Sequence, residues 1–523
     1  MSCCSSNNSA SHSCLVYEQI SRKHNRKRAV FMKIVFIYSG AENLGIEYIS
    51  SFLKSKGHEV HLLFDPAVFS GDSFVNSKLF SKIQNIDARI IAKAIELKPD
   101  IVGFSAYTGN YRWCLNIAQE IKKIANIPIV FGGVHTTAVP EKVLANACID
   151  FAIIGEGEYA VLDLIEHLQK GDKIEALLDT PNICFRYQDG FRINLPRPYI
   201  QNLDALPFPD KMLFYEKVPL LEKQYYITTS RGCPYSCTYC SNDMYHQIYC
   251  KENNHVRRRS PDNVIEELMF FKQRGKVKFI SFVDDVFTFS QSWLEEFIPK
   301  YKSKIGLPFF CNVHPLAVTE RKAQLLKEGG CGLVTMGVQS GSERIRAEVF
   351  KRQGSNDKIA ESVAHIRNAG IKISVDNIFG APSETEEDLI VSFDLYKKLK
   401  TDRILTFWLT YYPRTSIIDL ALKNNCLSKQ MVEDIEQGYA GYTHGTGSVN
   451  KEQATMYYKY ELLFHIRSLV HSRKLFNVLS KIAIFMPFKH LITRIIIVIN
   501  ALANKDSKFF YLLNYIWAPK NTP

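Results

Sequence analysis

The 523-residue sequence predicts an α/β protein with two sheet-bearing units, a flavodoxin-like open sheet followed by a partial (β/α)6 barrel, and a helical C-terminal region. Short apolar runs of strand length alternate with amphipathic stretches over Lys33 to about Leu168, and the alternation resumes from Lys223 to about Tyr412. Glycines and acidic residues cluster where the strands end. From Met456 onward the chain turns helix-like and basic. With 46% hydrophobic and 23% charged residues it is globular and long enough for two or three domains.

Residues 1–31 lack the apolar segment of a signal peptide and carry Arg22, Lys23, Arg26, Lys27 and Arg28. They read as a disordered basic extension, or as an artefact of start-codon choice, and Cys3, Cys4 and Cys14 receive no metal role. In the first unit, residues 32–170, strands are expected at Lys33 to Tyr38, Glu59 to Phe64, Ile101 to Ser105, Pro128 to Gly132 and Phe151 to Ile154. Helices are expected near Leu44 to Lys56, Cys114 to Ala125 and Tyr159 to Leu168. Open sheets of this kind bind ligands beyond the carboxyl ends of their strands, which points to Ser105 and Thr108, to Gly132, Gly133 and His135, and to Gly155 and Glu156. His135 alone in a glycine turn reads more readily as a hydrogen-bonding loop residue than as a metal ligand.

Residues 171–222 hold a β-hairpin turning at Asp189-Gly190 and a proline-rich linker, Leu203 to Asp210. In the second unit, residues 223–415, strands are expected at Tyr225 to Thr229, Phe279 to Val283, Phe309 to Val313, Leu333 to Val338, Lys372 to Phe379 and Ile404 to Tyr411. Barrel chemistry sits at the C-terminal strand ends. There the sequence places three cysteines, then Asp284-Asp285, Gln339-Ser340, Gly380 and Tyr412 to Thr415. Arg257-Arg258-Arg259 reads as a solvated run with a weaker claim to an anionic ligand. Residues 416–523 read as a helical accessory region over the barrel mouth. Its apolar runs, Ile482 to Phe488 and Leu491 to Ala503, fall short of the ~20 residues that cross a bilayer, which leaves contact with a membrane surface as the alternative.

The most specific signal is Cys233-Pro234-Tyr235-Ser236-Cys237-Thr238-Tyr239-Cys240, a C-x3-C-x2-C spacing that offers three thiolates to one iron–sulfur cluster and leaves one iron without a protein ligand. Structural zinc prefers paired C-x2-C or Cys/His units, which Cys250 and His255 do not form. Cys250, Cys311 and Cys331 read as small buried hydrophobes. The run resembles the radical SAM superfamily, with Tyr239 at its aromatic position. The resemblance implies a 4Fe-4S cluster held by Cys233, Cys237 and Cys240, whose open iron chelates S-adenosylmethionine, with reductive cleavage to a 5'-deoxyadenosyl radical. It further implies Asp284 or Asp285 as acceptor for the ammonium of S-adenosylmethionine, one of the two serving only as a cap, Gln339 and Ser340 for its ribose, and Gly380 near its adenine.

The loops of the first unit, with Gly45-Ile46-Glu47-Tyr48 and Gly57-His58-Glu59-Val60, resemble the cobalamin-binding domain that precedes the barrel in one subfamily. The segment Gly40-Ala41-Glu42-Asn43-Leu44-Gly45 aligns with the D-x-H-x-x-G motif but lacks its histidine, which implies cobalt without a protein imidazole, or a degenerate domain. The reading implied is a cytoplasmic, cobalamin-dependent methyltransferase that acts on an unactivated carbon of a small molecule, with a hydrophobic substrate as one option, and with a reductant such as flavodoxin or ferredoxin. No catalytic side chain is assigned. Radical cyclisation or rearrangement is the alternative. A methylthiotransferase needs a second set of cluster cysteines, for which only Cys114, Cys148 and Cys184 stand available at unsuitable spacing. A non-enzymatic iron–sulfur or corrinoid sensor lacks an output domain. Thirteen irregularly spaced cysteines fit a reducing cytoplasm better than a disulfide framework. The net charge of +12 does not by itself point to a nucleic-acid partner, because no stacking motif or recognition fold accompanies it.

Overall fold

A computed structural model describes residues 31–67, 86–250, 255–439, 449, 451–470, 473–485 and isolated positions between 492 and 499. The expected extension 1–31 lies almost wholly outside the described residues. The first sheet contains β1 (Lys33–Ser39), β2 (Glu59–Asp65), β3 (Ile101–Ser105), β4 (Ile129–Gly132) and β5 (Phe151–Ile153) in the parallel order β2-β1-β3-β4-β5 of flavodoxin-like folds. Its crossovers include α1 (Leu44–Ser55), α2 (Ile86–Glu96), α3 (Tyr111–Ile124) and α4 (Glu158–Lys170). The strands are buried on both faces, so they read as continuous apolar runs rather than alternating ones. α1 starts where Asn43 accepts a hydrogen bond from the Ile46 amide, and α4 ends at Gly171 in the left-handed conformation.

Two features differ from expectation. α2 was not foreseen. The hairpin expected between the units, β6 (Ile183–Tyr187) and β7 (Gly190–Ile193), pairs antiparallel with β5 and extends the first sheet to seven strands. A hairpin's own sequence fixes its turn, not the edge it docks on.

The second sheet runs β8 (Gln224–Ile227), β9 (Phe279–Phe282), β10 (Phe309–Val313), β11 (Cys331–Gln339), β12 (Lys372–Phe379) and β13 (Arg403–Trp408), all parallel and in sequential order. This is the six-stranded partial barrel. After β8, α5 (Ser241–Ile248) packs Met244 against Ala138 and Val139 of the first unit, and outside the barrel pack α6 (Pro261–Lys272), α7 (Gln291–Lys304), α8 (Glu320–Glu328), α9 (Asn356–Asn368) and α10 (Glu386–Lys398). After the barrel come α11 (Ile417–Lys423), α12 (Lys429–Glu436), α13 (Lys451–Leu469) and α14 (Arg473–Phe485).

The described residues of the expected accessory region divide: α11 lies by the strand-end loops, where the Ile417 amide donates to the Thr238 carbonyl at 3.0 Å. α13 packs on the flank of the last strand and α10, with Phe464 against Phe379, Phe393 and Tyr396. Ser468 accepts the Ile404 amide hydrogen at 2.9 Å. β13 is an edge strand, and this helix supplies a partner for a donor that an open edge would leave exposed. No described helix is long and apolar enough to cross a membrane.

Candidate active site between the two sheets

Three contacts bring the ligand edges of the sheets together. Lys211, directly after the proline-rich linker, is fully buried and pairs with Glu42 at 2.7 Å and Glu47 at 2.8 Å, with its ammonium 4.9 Å from the Tyr225 ring on β8. Burial raises the Glu47 pKa more than Lys211 lowers it. Arg231 donates to Glu156 at 3.0 Å and Glu158 at 2.6 Å, and Arg257 donates to Glu156 at 2.7 Å. Burial pushes Glu156 upward, but the two guanidiniums outweigh it and hold the carboxyl below its ordinary range. On the far side, Lys142 reaches Glu433 at 2.6 Å.

Between these contacts lies a cavity of about 390 Å³, within the ~300–1,000 Å³ typical of ligand sites. Its first-sheet wall includes Ser105, Gly132, Gly133, Gly155 and Glu156, and its barrel wall includes Arg231, Gly232, Asp284 and Asp285. Gly133 has φ +95°, and a Cβ there would lie 2.6 Å from the Ala106 carbonyl oxygen. Gly132 has no atom nearer than 3.9 Å to a Cβ position, so its surface is left clear. Missing side chains at successive strand ends are what close approach of a large flat ligand requires.

The cysteine loop leaves the barrel wall directly after Gly232, whose φ is +86° and where a Cβ would lie 1.8 Å from the His255 carbonyl oxygen. Thr238 anchors the loop. Its hydroxyl donates to the Val349 carbonyl at 2.6 Å and its amide to Phe350, at the end of a π-helical turn, Ile345–Val349. Cys233, Cys237 and Cys240 are all free thiols. Arg352 donates to Cys237 Sγ at 3.4 Å and Asn242 to Cys240 Sγ at 3.7 Å. Burial drives the Cys233 thiol up to about 12 and raises Cys240. Among the described residues no three His, Cys, Asp or Glu side chains converge on a single-ion site. A multi-iron cluster needs its thiolates spread rather than convergent. Three soft sulfur donors on one anchored loop, two receiving hydrogen bonds, suit such a cluster.

The family model of the Radical SAM superfamily matches residues 227–396, and that of the B12 binding domain matches residues 35–165. The chain is a radical SAM protein with a cobalamin-binding domain. An uncharacterized methyltransferase of Pyrococcus horikoshii is 29% identical over 393 residues, 73% of this chain and 79% of the relative. An anaerobic magnesium-protoporphyrin IX monomethyl ester cyclase of Rubrivivax gelatinosus is 24% identical over 404 residues, 73% and 68%. The fold is shared with the cobalamin-dependent S-adenosylmethionine radical enzyme OxsB with aqua-cobalamin bound, at TM-score 0.63 and 15% identity, covering 96% of this chain and 81% of that one. It is also shared with the radical S-adenosylmethionine methyltransferase TsrM from Kitasatospora setae, at TM-score 0.60 and 17% identity, covering 76% and 78%. The cofactors of this radical SAM protein are therefore a 4Fe-4S cluster, S-adenosylmethionine and cobalamin.

The sequence-expected residues of the radical SAM protein divide into two groups. Ser105, Gly132, Gly133, Gly155, Glu156, Asp284 and Asp285 line the cavity. Asp285 faces the cavity, where desolvation by the surrounding protein raises its pKa, opposed by a hydrogen bond from Asn242. Asp284 is 1% exposed and accepts from the Thr229 amide and from the Thr229 and Ser230 hydroxyls. It fastens the end of β8 and has little left to offer an ammonium. Gln339 takes φ +73° at the end of β11, and its Oε1 has no hydrogen-bond partner.

Other residues are spent on packing. Ser340 is buried against Ser392 at 3.3 Å and accepts the Ser342 amide, which argues against a ribose contact. The Gly380 amide donates to Glu384, whose buried carboxyl is pushed up to about 7. Tyr239 lies edge-on to Phe350 at 4.9 Å. Thr108 and His135 lie off the cavity wall, joined at 3.1 Å, with the imidazole against the Tyr111 ring. Burial lowers the His135 pKa to about 4, so it is a neutral core histidine.

The arginine run is not solvated. Arg257 and Arg259 are buried, Arg259 pairs with Glu267 at 2.6 Å, and Arg258 lies over the Trp293 ring while donating to the Val286 and Phe287 carbonyls. Cys311 and Cys331 are buried as expected, whereas Cys250 is exposed. Arg231, Glu158 and Arg352 were missed, because nothing in their local sequence announces a partner in another domain or on a distant turn.

Proposed function

We propose that this radical SAM enzyme methylates an unactivated carbon of a small, hydrophobic molecule bound where the two ligand edges face each other. The observation that carries this reading is the shared cavity, whose wall joins Gly132, Gly133 and Gly155 of the cobalamin-binding domain to Gly232 and Asp285 beside the cysteine loop. When bound, the cluster supplies the electron that opens S-adenosylmethionine to a 5'-deoxyadenosyl radical, and cobalamin supplies methyl-transfer chemistry.

The chain's own residues position and exclude. Cys233, Cys237 and Cys240 hold the cluster on a loop that Thr238 pins in place. Asp285 accepts from the ammonium of S-adenosylmethionine, and the free Oε1 of Gln339 accepts from its ribose. Ser105 and the strand-end glycines admit the corrinoid, while the Glu156–Arg231 contact fixes the distance between the halves. Cytoplasmic residence and a flavodoxin- or ferredoxin-like reductant follow from the requirement for a reduced cluster.

Methyl-labelled S-adenosylmethionine tests the reading. Methylation yields S-adenosylhomocysteine and 5'-deoxyadenosine in about equal amounts, since each turnover uses one molecule as methyl donor and one as radical source. The cyclase relative supports a second reading, in which 5'-deoxyadenosine accompanies product without S-adenosylhomocysteine. Methylthiolation is disfavoured because Cys114, Cys148 and Cys184 are each buried in the first sheet's packing, with pKa values raised by burial.

A further inference from the structure

We propose that the C-terminal helices form a docking surface for an anionic lipid bilayer, on which the protein lies without crossing it. α14 is held to the body by Phe476, 4% exposed and 5.8 Å from Phe393, with Leu479 packed beside it. Its outward side is apolar. Leu475, Val478 and Ile482, at spacings of three and four residues, are 51%, 56% and 49% exposed, so they form one stripe along the helix. The same division recurs downstream, where Ile492 and Ile496 pack against the core and Ile495 and Ile499 are 54% and 47% exposed.

Large aliphatic side chains exposed together mark an interaction surface, and their charge setting selects the partner. Lys474 and Lys481 are exposed on α14, about 70–90° around the helix from the middle of the stripe and on the same side of it. Residues 471–523 contain eight Lys or Arg against one acidic residue, Asp506. A surface with an apolar stripe flanked by lysines matches an interface of acyl chains below and anionic headgroups above. A protein groove would match the stripe but has no reason to match the charge. No described helix is long and apolar enough to span the bilayer, which makes the contact interfacial. The inference stands apart from the methylation reading, although a bilayer-borne substrate would suit a hydrophobic one.

Flotation of the reconstituted full-length protein with vesicles tests it. Vesicles of equal parts phosphatidylcholine and phosphatidylglycerol should carry the protein upward, and pure phosphatidylcholine should carry far less. Val478→Asp with Ile482→Asp should abolish flotation while iron content and reductive cleavage of S-adenosylmethionine stay unchanged. Lys474→Glu with Lys481→Glu alters only exposed positions and should weaken vesicle binding by about tenfold or more, with the loss mimicked by high salt. Absence of flotation overturns the proposal, because the stripe is then covered by another part of the chain. Equal binding to both vesicle types overturns the anionic assignment. A concentration-dependent dimer that the two aspartates dissolve shows instead that the stripe joins two copies of the chain.

Discussion

The two walls of the cavity are made of different material. On the cobalamin-binding side the wall mixes strand-end glycines, Gly132, Gly133, Gly155 and Gly157, with apolar side chains such as Phe36, Ile49 and Val161. On the barrel side it is side chain: Arg231, Asp284 and Asp285, with three thiols on the loop that follows. The glycine-and-apolar wall selects by shape, whereas the barrel wall selects by charge and donor type. On the proposed reading the first admits a corrinoid and the second carries the cluster loop.

Replacing Cys233, Cys237 or Cys240 by Ala breaks the barrel wall alone. Reconstituted iron and reductive cleavage of S-adenosylmethionine should fall to background, while hydroxocobalamin binding persists. Cys250→Ala, at an exposed thiol away from the loop, should change neither.

Lys211→Met attacks the joint rather than either wall. It leaves Glu42 and Glu47 buried without their counter-charge, at a cost of about 3–5 kcal/mol. Urea denaturation should show this as a lower midpoint, with cobalamin binding and cluster content weakened together.

Gly133→Val distorts the opposite wall by driving its Cβ into the Ala106 backbone. Its φ of +95° and the Ala106 backbone at 2.6 Å leave no room, and the strain is on the order of 1–3 kcal/mol. Cobalamin affinity should drop sharply in a titration while iron content stays near normal. A variant that binds cobalamin as the parent does would remove the distinction between the walls.

His135→Gln should have the smallest effect on cofactors. The imidazole lies off the cavity, so electron paramagnetic resonance of the Co(II) form should show no histidine nitrogen splitting before or after the change. Its signature is instead in stability. Folded His135 titrates at about 4, below the ~6.5 of an unfolded histidine. As pH falls the unfolded chain takes up this proton first. The stabilisation is complete above about pH 6.5 and is lost as pH falls toward about 4. His135→Gln should flatten the pH dependence of the denaturation midpoint across that window.

Much of this was open to reading in the sequence because it depends on neighbours along the chain. C-x3-C-x2-C is a local donor set, and apolar runs between glycine turns define parallel strands wherever both faces are covered. What failed were statements about pairing at a distance. Arg257-Arg258-Arg259 looks like a charged surface run, yet each guanidinium finds a buried carboxylate, carbonyl or ring supplied by a remote segment. Asp284 and Asp285 are adjacent and chemically identical, and only the fold gives one to the Thr229 backbone and the other to the cavity.

The sequence by itself determined the succession of strands and the positions of the C-x3-C-x2-C spacing and the strand-end glycines, since spacing and backbone freedom are properties of a few consecutive residues. Tertiary structure alone decided that the hairpin extends the first sheet, that α13 closes the edge of β13, that His135 is core, and that both ligand edges open on one cavity. Each of these depends on which surfaces bury one another, and burial is set by the summed packing of segments hundreds of residues apart.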